Sequence, residues 1–415
     1  MNKIFLGICI FLSLFGCAEK KKPLGEYAVI DIANGIGEYQ KAYCSDFFSS
    51  MEIIPLETNK NSLIGEEPVI LHYGDLIFVC SITSRYYIPL IRELHVFDRS
   101  GKFLYQIGKA GGGPGEYFSI FNVFLNPDKP AVYIEDSKDI LEYGLDGRFI
   151  RSIRKPDDEN LHNCTYAGND LFVGQLFYNG KNKYKYCLFD QNGDIVKGFP
   201  SHFFYDKVGR GSYELGLYPI RMDHDLYLKD YVNDTLYILA DSELHPAYIF
   251  DPGKYSIPIE RLSHNAPSGP STHIAVTGIA GTPDYIFYRL TVPEMLPRPK
   301  SRPVFMAGKD RSTDAIVYGI YHIKGNTNIF LDTDPSRQKG LINDMNGGLS
   351  FIPQSYVGNG VMADFWKAED MKEILTEEYF AARNIKDRQA HQKLRELLKK
   401  LKEDDNPVVV IAKLK

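Results

Sequence analysis

The sequence predicts an all-β chain, a six-bladed β-propeller with a small C-terminal extension of helix and strand. Three observations carry this reading. A strand–turn–strand unit recurs with its turn glycine at Gly101, Gly147 and Gly193, each 46 residues after the last. The composition holds 28 tyrosines, 25 phenylalanines and 35 glycines, residues that suit half-buried pleated surfaces and tight turns. Helix formers gather at one end of the chain, beyond residue 361. A glycine at a fixed turn position supplies the positive φ that other residues resist. Hairpins at this period match a four-stranded blade of about 40–50 residues.

The first element is not part of the fold. MNKIFLGICIFLSLFGC has one early lysine, an apolar run from Ile4 to Phe15 and a small residue before Cys17, the order of a secretory signal. The run is shorter than the roughly 20 residues of a spanning helix. Leu14-Phe15-Gly16-Cys17 resembles a bacterial lipobox, with phenylalanine at a position usually held by a small or β-branched residue. The resemblance implies cleavage after residue 16 and lipidation of Cys17. Residues 17–27, with Lys20, Lys21 and Lys22 and then Pro23, read as a tether.

The blades follow. LHVFDRSGKFLYQIG from Leu94, ILEYGLDGRFIRSIR from Ile140 and YCLFDQNGDIVKGFP from Tyr186 are the repeated hairpins. A further pair of short strands lies upstream of each, including LIFVCSI from Leu76, AVYIEDS from Ala131 and LFVGQLF from Leu171. A fourth unit begins at Asp225 with Ser242 and Glu243 at its turn. The hairpin from Ile274, with the tip Gly281-Thr282-Pro283-Asp284, is expected as a fifth unit and the hairpin from Ala315 as another, for about six in all. MEIIPLET, Met51 to Thr58, is expected to complete the last blade and close the ring.

The end changes character. Leu394, Leu397, Leu398 and Leu401 fall at i, i+3, i+4 and i+7, one apolar helix face among charges. Pro407 stops that helix, and VVVIAKL reads as a last strand. The expected divisions are 1–16 signal, 17–27 tether, 28–360 propeller and 361–415 helix and final strand packed on it. The net charge of −5 argues against a nucleic-acid footprint. Cys44, Cys80, Cys164 and Cys187 allow three disulfide pairings or serve as small buried apolar residues.

Phe97-Asp98-Arg99-Ser100-Gly101, then Ile107-Gly108 and Gly113-Pro114-Gly115-Glu116-Tyr117, form an F-D-x-x-G hairpin followed by a GPGEY loop. With VNDTLY, NDMNGGLSFIP and the DDNPVVVIAKLK tail, they resemble bacterial lipoproteins with a six-bladed propeller related to NHL and TolB propellers. That resemblance spans essentially the whole mature chain. It implies a propeller in the cell envelope and assigns no activity. The glycine run is not a phosphate cradle. It lacks the Lys-[Ser/Thr] of a P-loop, and Glu116 falls where the third glycine of a dinucleotide fingerprint belongs.

Chemistry-bearing motifs are few. There is no HExxH and no GxSxG. Asp190-Gln-Asn192-Gly193-Asp194 starts like a calcium loop but has Ile195 where glycine should follow, so it reads as a hairpin turn. Glu116 and Tyr117 are candidate ligand contacts, or internal pins between blades. Asp344 and Asn346 put polar side chains beside flexible backbone, suited to a cation or a sugar hydroxyl. Arg289, Glu294, Arg298 and Arg302 lie in or beside a proline-punctuated loop, where arginine suits carboxylate or phosphate recognition.

The expected function is non-catalytic recognition of a peptide, partner protein or glycan at a propeller face or channel. No cofactor is expected for that role. The alternative is a metal-dependent lactonase- or lyase-like propeller enzyme with an axial divalent metal. A third reading is a scaffold docking through the Leu394–Leu401 face. The membrane partner is met through the lipid anchor. Related lipoproteins mark surface display with acids just after the lipidated cysteine; here Ala18-Glu19-Lys20-Lys21-Lys22 is mostly basic, which favours the periplasmic side of an outer membrane.

Overall fold

The computed structural model describes residues 26–65, 68–81, 84–85, 88–89, 93–156, 161–176, 182–201, 217–258, 272–300, 315–334, 336, 338–353, 355–356 and 360–415. The signal, Cys17, most of the tether and Arg302 lie outside them.

Six antiparallel sheets of four blade strands each form the body. Blade 1 runs Pro68–Tyr73, Leu76–Ser81, Leu94–Asp98 and Phe103–Ile107. Blade 2 is Asn122–Leu125, Ala131–Glu135, Asp139–Gly144 and Phe149–Arg154. Blade 3 is Leu161–Gly168, Leu171–Leu176, Tyr184–Phe189 and Ile195–Pro200. Blade 4 is Ile220–Met222, Asp225–Lys229, Thr235–Ala240 and Glu243–Asp251. Blade 5 is Ala275–Gly281, Tyr285–Val292, Ala315–His322 and Thr327–Leu331.

Blade 6 closes the ring with both ends of the chain. Its order is Ser355–Tyr356, Val361–Trp366, Val408–Leu414 and then Phe48–Pro55. The expected closing strand is therefore present, a few residues earlier than Met51. The boundary expected at 360/361 runs through this blade. The helices Ala368–Ile374, Glu377–Ala381 and Arg388–Lys400 are an insertion between its second and third strands.

The repeated hairpins share one turn. Gly101, Gly147 and Gly193 have φ of 85°, 80° and 86°, and the strand register slips beside each, between Val96/Phe97, Glu142/Tyr143 and Leu188/Phe189. This is a turn closed by a glycine bulge. Asp98 Oδ1 accepts the N–H of Ser100 at 2.8 Å, and Asp190 Oδ1 that of Asn192 at 2.8 Å. The calcium-like residues at Asp190 thus serve their own hairpin. In blade 4 the turn is Asp241-Ser242, with φ of 52° and 58°. The expected Ser242-Glu243 turn is corrected by one residue, because Glu243 already pairs with Ala240.

Apolar side chains from neighbouring blades meet in six clusters, one at each junction around the ring. The largest lies between blades 5 and 6 and takes in the helical insertion. Leu394 and Leu401 are buried there at 1% and 6% exposure, with Leu397 and Leu398 packed alongside. The apolar stripe faces its own domain, which removes the docking face of the scaffold reading. Before joining blade 6, the N-terminal segment adds Ala28–Asp31 in parallel to the outer edge of blade 4 and Tyr39–Gln40 to that of blade 5. Cys44, Cys80, Cys164 and Cys187 are buried thiols.

Candidate functional site

A propeller brings its innermost strands to one axis, and here they enclose a channel of about 880 Å³. All six blades contribute to its wall. Blade 1 supplies Pro68 to Gly74, blade 2 Ile120 to Pro127, and blade 4 Tyr218 to Arg221 with Asp223 and His224. Thr165, Ile279 with Ala280, and Ala363 to Phe365 complete it from blades 3, 5 and 6. The size is that of a small-ligand pocket.

The polar wall groups differ in how far they are committed. Asn122 donates from Nδ2 to the Cys164 carbonyl at 2.9 Å and ties blade 2 to blade 3. Asn126 donates to the Tyr133 hydroxyl at 3.1 Å. Asp364 accepts the N–H groups of Ile352 and Phe365, each at 2.8 Å. His72 accepts at Nε2 from Arg99 at 3.0 Å, and burial, with that guanidinium, lowers its pKa. Arg221 donates to the Tyr166 carbonyl of blade 3. Tyr73 and Tyr218 keep 39% and 48% of their surface exposed, so rings are available to a ligand in the wall.

The residues singled out from sequence lie elsewhere. Tyr117 is wholly buried between blades 1 and 2, which leaves it no surface for a ligand. Glu116 folds back on the glycine run. Its carboxylate accepts the Gly113 N–H at 2.8 Å and pairs with Lys109 at 3.0 Å, which together hold its pKa below the usual range. Gly115, at φ 72°, presses on Phe149, where a Cβ would come within 2.7 Å. The GPGEY loop is a joint between two blades.

Asp344 and Asn346 form a second joint. Asp344 accepts from Ser45 Oγ at 2.6 Å and Lys386 Nζ at 2.8 Å. Burial pushes its pKa up, but these partners outweigh that and hold it below the usual value. Asn346 is fully buried, accepts from Asn343 and Gly348, and its carbonyl meets His391 at 2.9 Å. These contacts moor the insertion to the connection between blades 5 and 6. Arg289 reaches back from the second strand of blade 5 to Thr277, with Nη2 to the carbonyl at 2.8 Å. Arg298 sits 3.6 Å from Glu294 in the proline loop. Those of the chosen residues that are described thus occupy separate places, and none of them lines the axis.

Sequence reasoning passed over the channel wall because it consists of ordinary strand residues. The one available signal was position, the first strand of each of the first five blades; blade 6 lines the channel with its second strand, Val361–Trp366. Among the described residues, no group of three or more His, Cys, Asp or Glu is placed to hold a metal ion. No helix among them is long and apolar enough to cross a membrane.

The fold is shared with a solved structure. A Bacteroides fragilis protein, named for an inferred export, matches at TM-score 0.64 and 17% identity, over 93% of this chain and 99% of its own. A DUF4221 family member from Bacteroides vulgatus matches at TM-score 0.48 and 9% identity, over 89% and 97% of the two chains. No curated protein matches. The profile of a domain of unknown function covers residues 27–413, all six blades and the insertion, and the chain belongs to that family, DUF4934.

Proposed function

We propose that this protein is a cell-envelope recognition module, lipid-anchored through Cys17, that binds part of a peptide, protein or glycan in its axial channel. The observation that carries the reading is the channel itself. It is open, about 880 Å³ in volume, and walled by strands whose main-chain bonds hold it rigid. Polar groups stand among exposed rings there, the mixture that orients a ligand without reacting with it. The signal and lysine-rich tether support the envelope placement.

Peptide and glycan arrays probed with residues 26–415 test the site. Ile279→Trp would fill the lumen from blade 5, where Ile279 is only partly buried. Binding by the native chain that is lost in this variant, at unchanged thermal stability, is the expected result. Equal binding by both would move the site off the axis, and silence on every array would remove recognition as the role. Mass analysis of the mature N terminus, native against Cys17→Ser, tests the anchor.

A further inference from the structure

Among the described residues, most buried cations are answered by an acid. Lys155 meets Glu135 at 3.1 Å, Arg383 meets Asp334 at 2.6 Å and Lys185 lies 3.7 Å from Asp230. Lys229 is held by the carbonyls of Asp230 and Asn233, with Asp234 and Asp230 nearby. Arg221 stands apart. It lies at the centre of the innermost strand of blade 4, on the channel wall. Its guanidinium donates to the carbonyl of Tyr166 and, at 3.4 Å, to that of His224.

No carboxylate among the described residues comes within the 4.0 Å of an ion pair with Arg221. Asp128, exposed in the turn after the innermost strand of blade 2, acts on it only at longer range. A guanidinium has five N–H donors, so several remain for the lumen. Arg221 is half-buried, and desolvating an unpaired charge is costly and lowers the pKa of this group. A ligand that returned the missing charge would recover part of that cost.

We infer that Arg221 anchors an oxyanion site inside the channel, and that the ligand carries one negative charge, as a carboxylate or a sulfate ester. This rests on the axial recognition reading and names its ligand class. A single unanswered cation balances a monoanion. The planar fork of arginine suits two oxygens at once. Thr165 adds a hydroxyl from blade 3, and Phe121, Tyr218 and Phe365 offer rings to the body of the ligand. The competing account is that Arg221 only staples blade 4 to blade 3 through Tyr166.

The experiment uses residues 26–415, which hold every strand of the six blades, with arginine side chains labelled for NMR. The Arg221 signal is assigned by its absence in Arg221→Met. Acetate, methyl sulfate and phosphate are then titrated at constant ionic strength, followed by calorimetry with glucuronate and glucose. A saturable shift of Arg221 with acetate and methyl sulfate, weaker with phosphate, is expected, as is selection of glucuronate over glucose. Arg221→Met should bind glucuronate about ten- to a hundredfold more weakly, the range for a hydrogen bond to a charged group, and should not melt lower. No acetate shift, or a variant that melts lower while keeping its anion response, overturns the site. Array binding that Ile279→Trp removes and Arg221→Met spares would retain axial recognition and discard its anionic class.

Discussion

Gly101 shows how much one residue can hold in this molecule. Its φ of 85° suits glycine, and a Cβ there would lie 2.0 Å from the Pro55 carbonyl oxygen of the closing strand. Gly101→Ala should therefore cost about 2 kcal/mol or more, strain and overpacking together. Gly74→Ala, at φ 60° but with nothing within 4 Å, should cost about 1 kcal/mol. Denaturant midpoints of the two variants check the difference. His162 makes a second residue-scale prediction. Burial, with Lys155 adding to it, pushes its pKa down to about 4, against about 6.5 for a free histidine. The unfolded chain takes up the proton first, so stability should fall as pH drops from about 6.5 to about 4. His162→Gln should flatten that limb in a pH series of thermal midpoints, while an unaltered limb would assign it to other groups.

Elements explain why the hairpins were legible and their surroundings were not. The three outer hairpins close by a glycine bulge, and the bulge demands its residue at a fixed place. The period was therefore visible at Gly101, Gly147 and Gly193. Blade 4 uses Asp241 and Ser242 in the same left-handed region, a conformation polar residues tolerate, and its turn was misplaced by one. The helix Arg388–Lys400 was legible as amphipathic, but its partner was not. Leu394 sits in the junction of blades 5 and 6 at 1% exposure. Leu394→Ala should cost about 2–5 kcal/mol, whereas Lys393→Ala on the exposed face should change stability by less than about 0.5 kcal/mol. Equal midpoints for the two variants would contradict this packing.

At the scale of the whole molecule, closure is the governing fact. Phe48–Pro55 and Val408–Leu414 pair along their length, so the ring depends on a contact between the two ends of the chain. A chain ending at Pro407 should lose the cooperative unfolding transition and bind an apolar dye in the absence of denaturant. A single sharp transition in that variant would show that the other blades stand without closure. The same geometry creates the candidate site. The channel exists only when all six blades converge, and its wall residues are scattered from Pro68 to Phe365. Glu116, Tyr117, Asp344 and Asn346 stood out in sequence because joints need special backbone and polar anchors, which look like the marks of a binding loop.

The amino-acid sequence by itself determined the hairpin period, the all-β class, the helical stretch near the end and the strand that closes the ring. These are local properties, written in glycine positions and in the alternation or spacing of apolar residues. Tertiary structure alone decided that the helices interrupt blade 6, that the GPGEY loop is a joint, and that Arg221 faces the channel without an acid beside it. Each of those depends on groups distant in the chain meeting in space. No periodicity within a segment records which side chain, brought there from another blade, will share its charge.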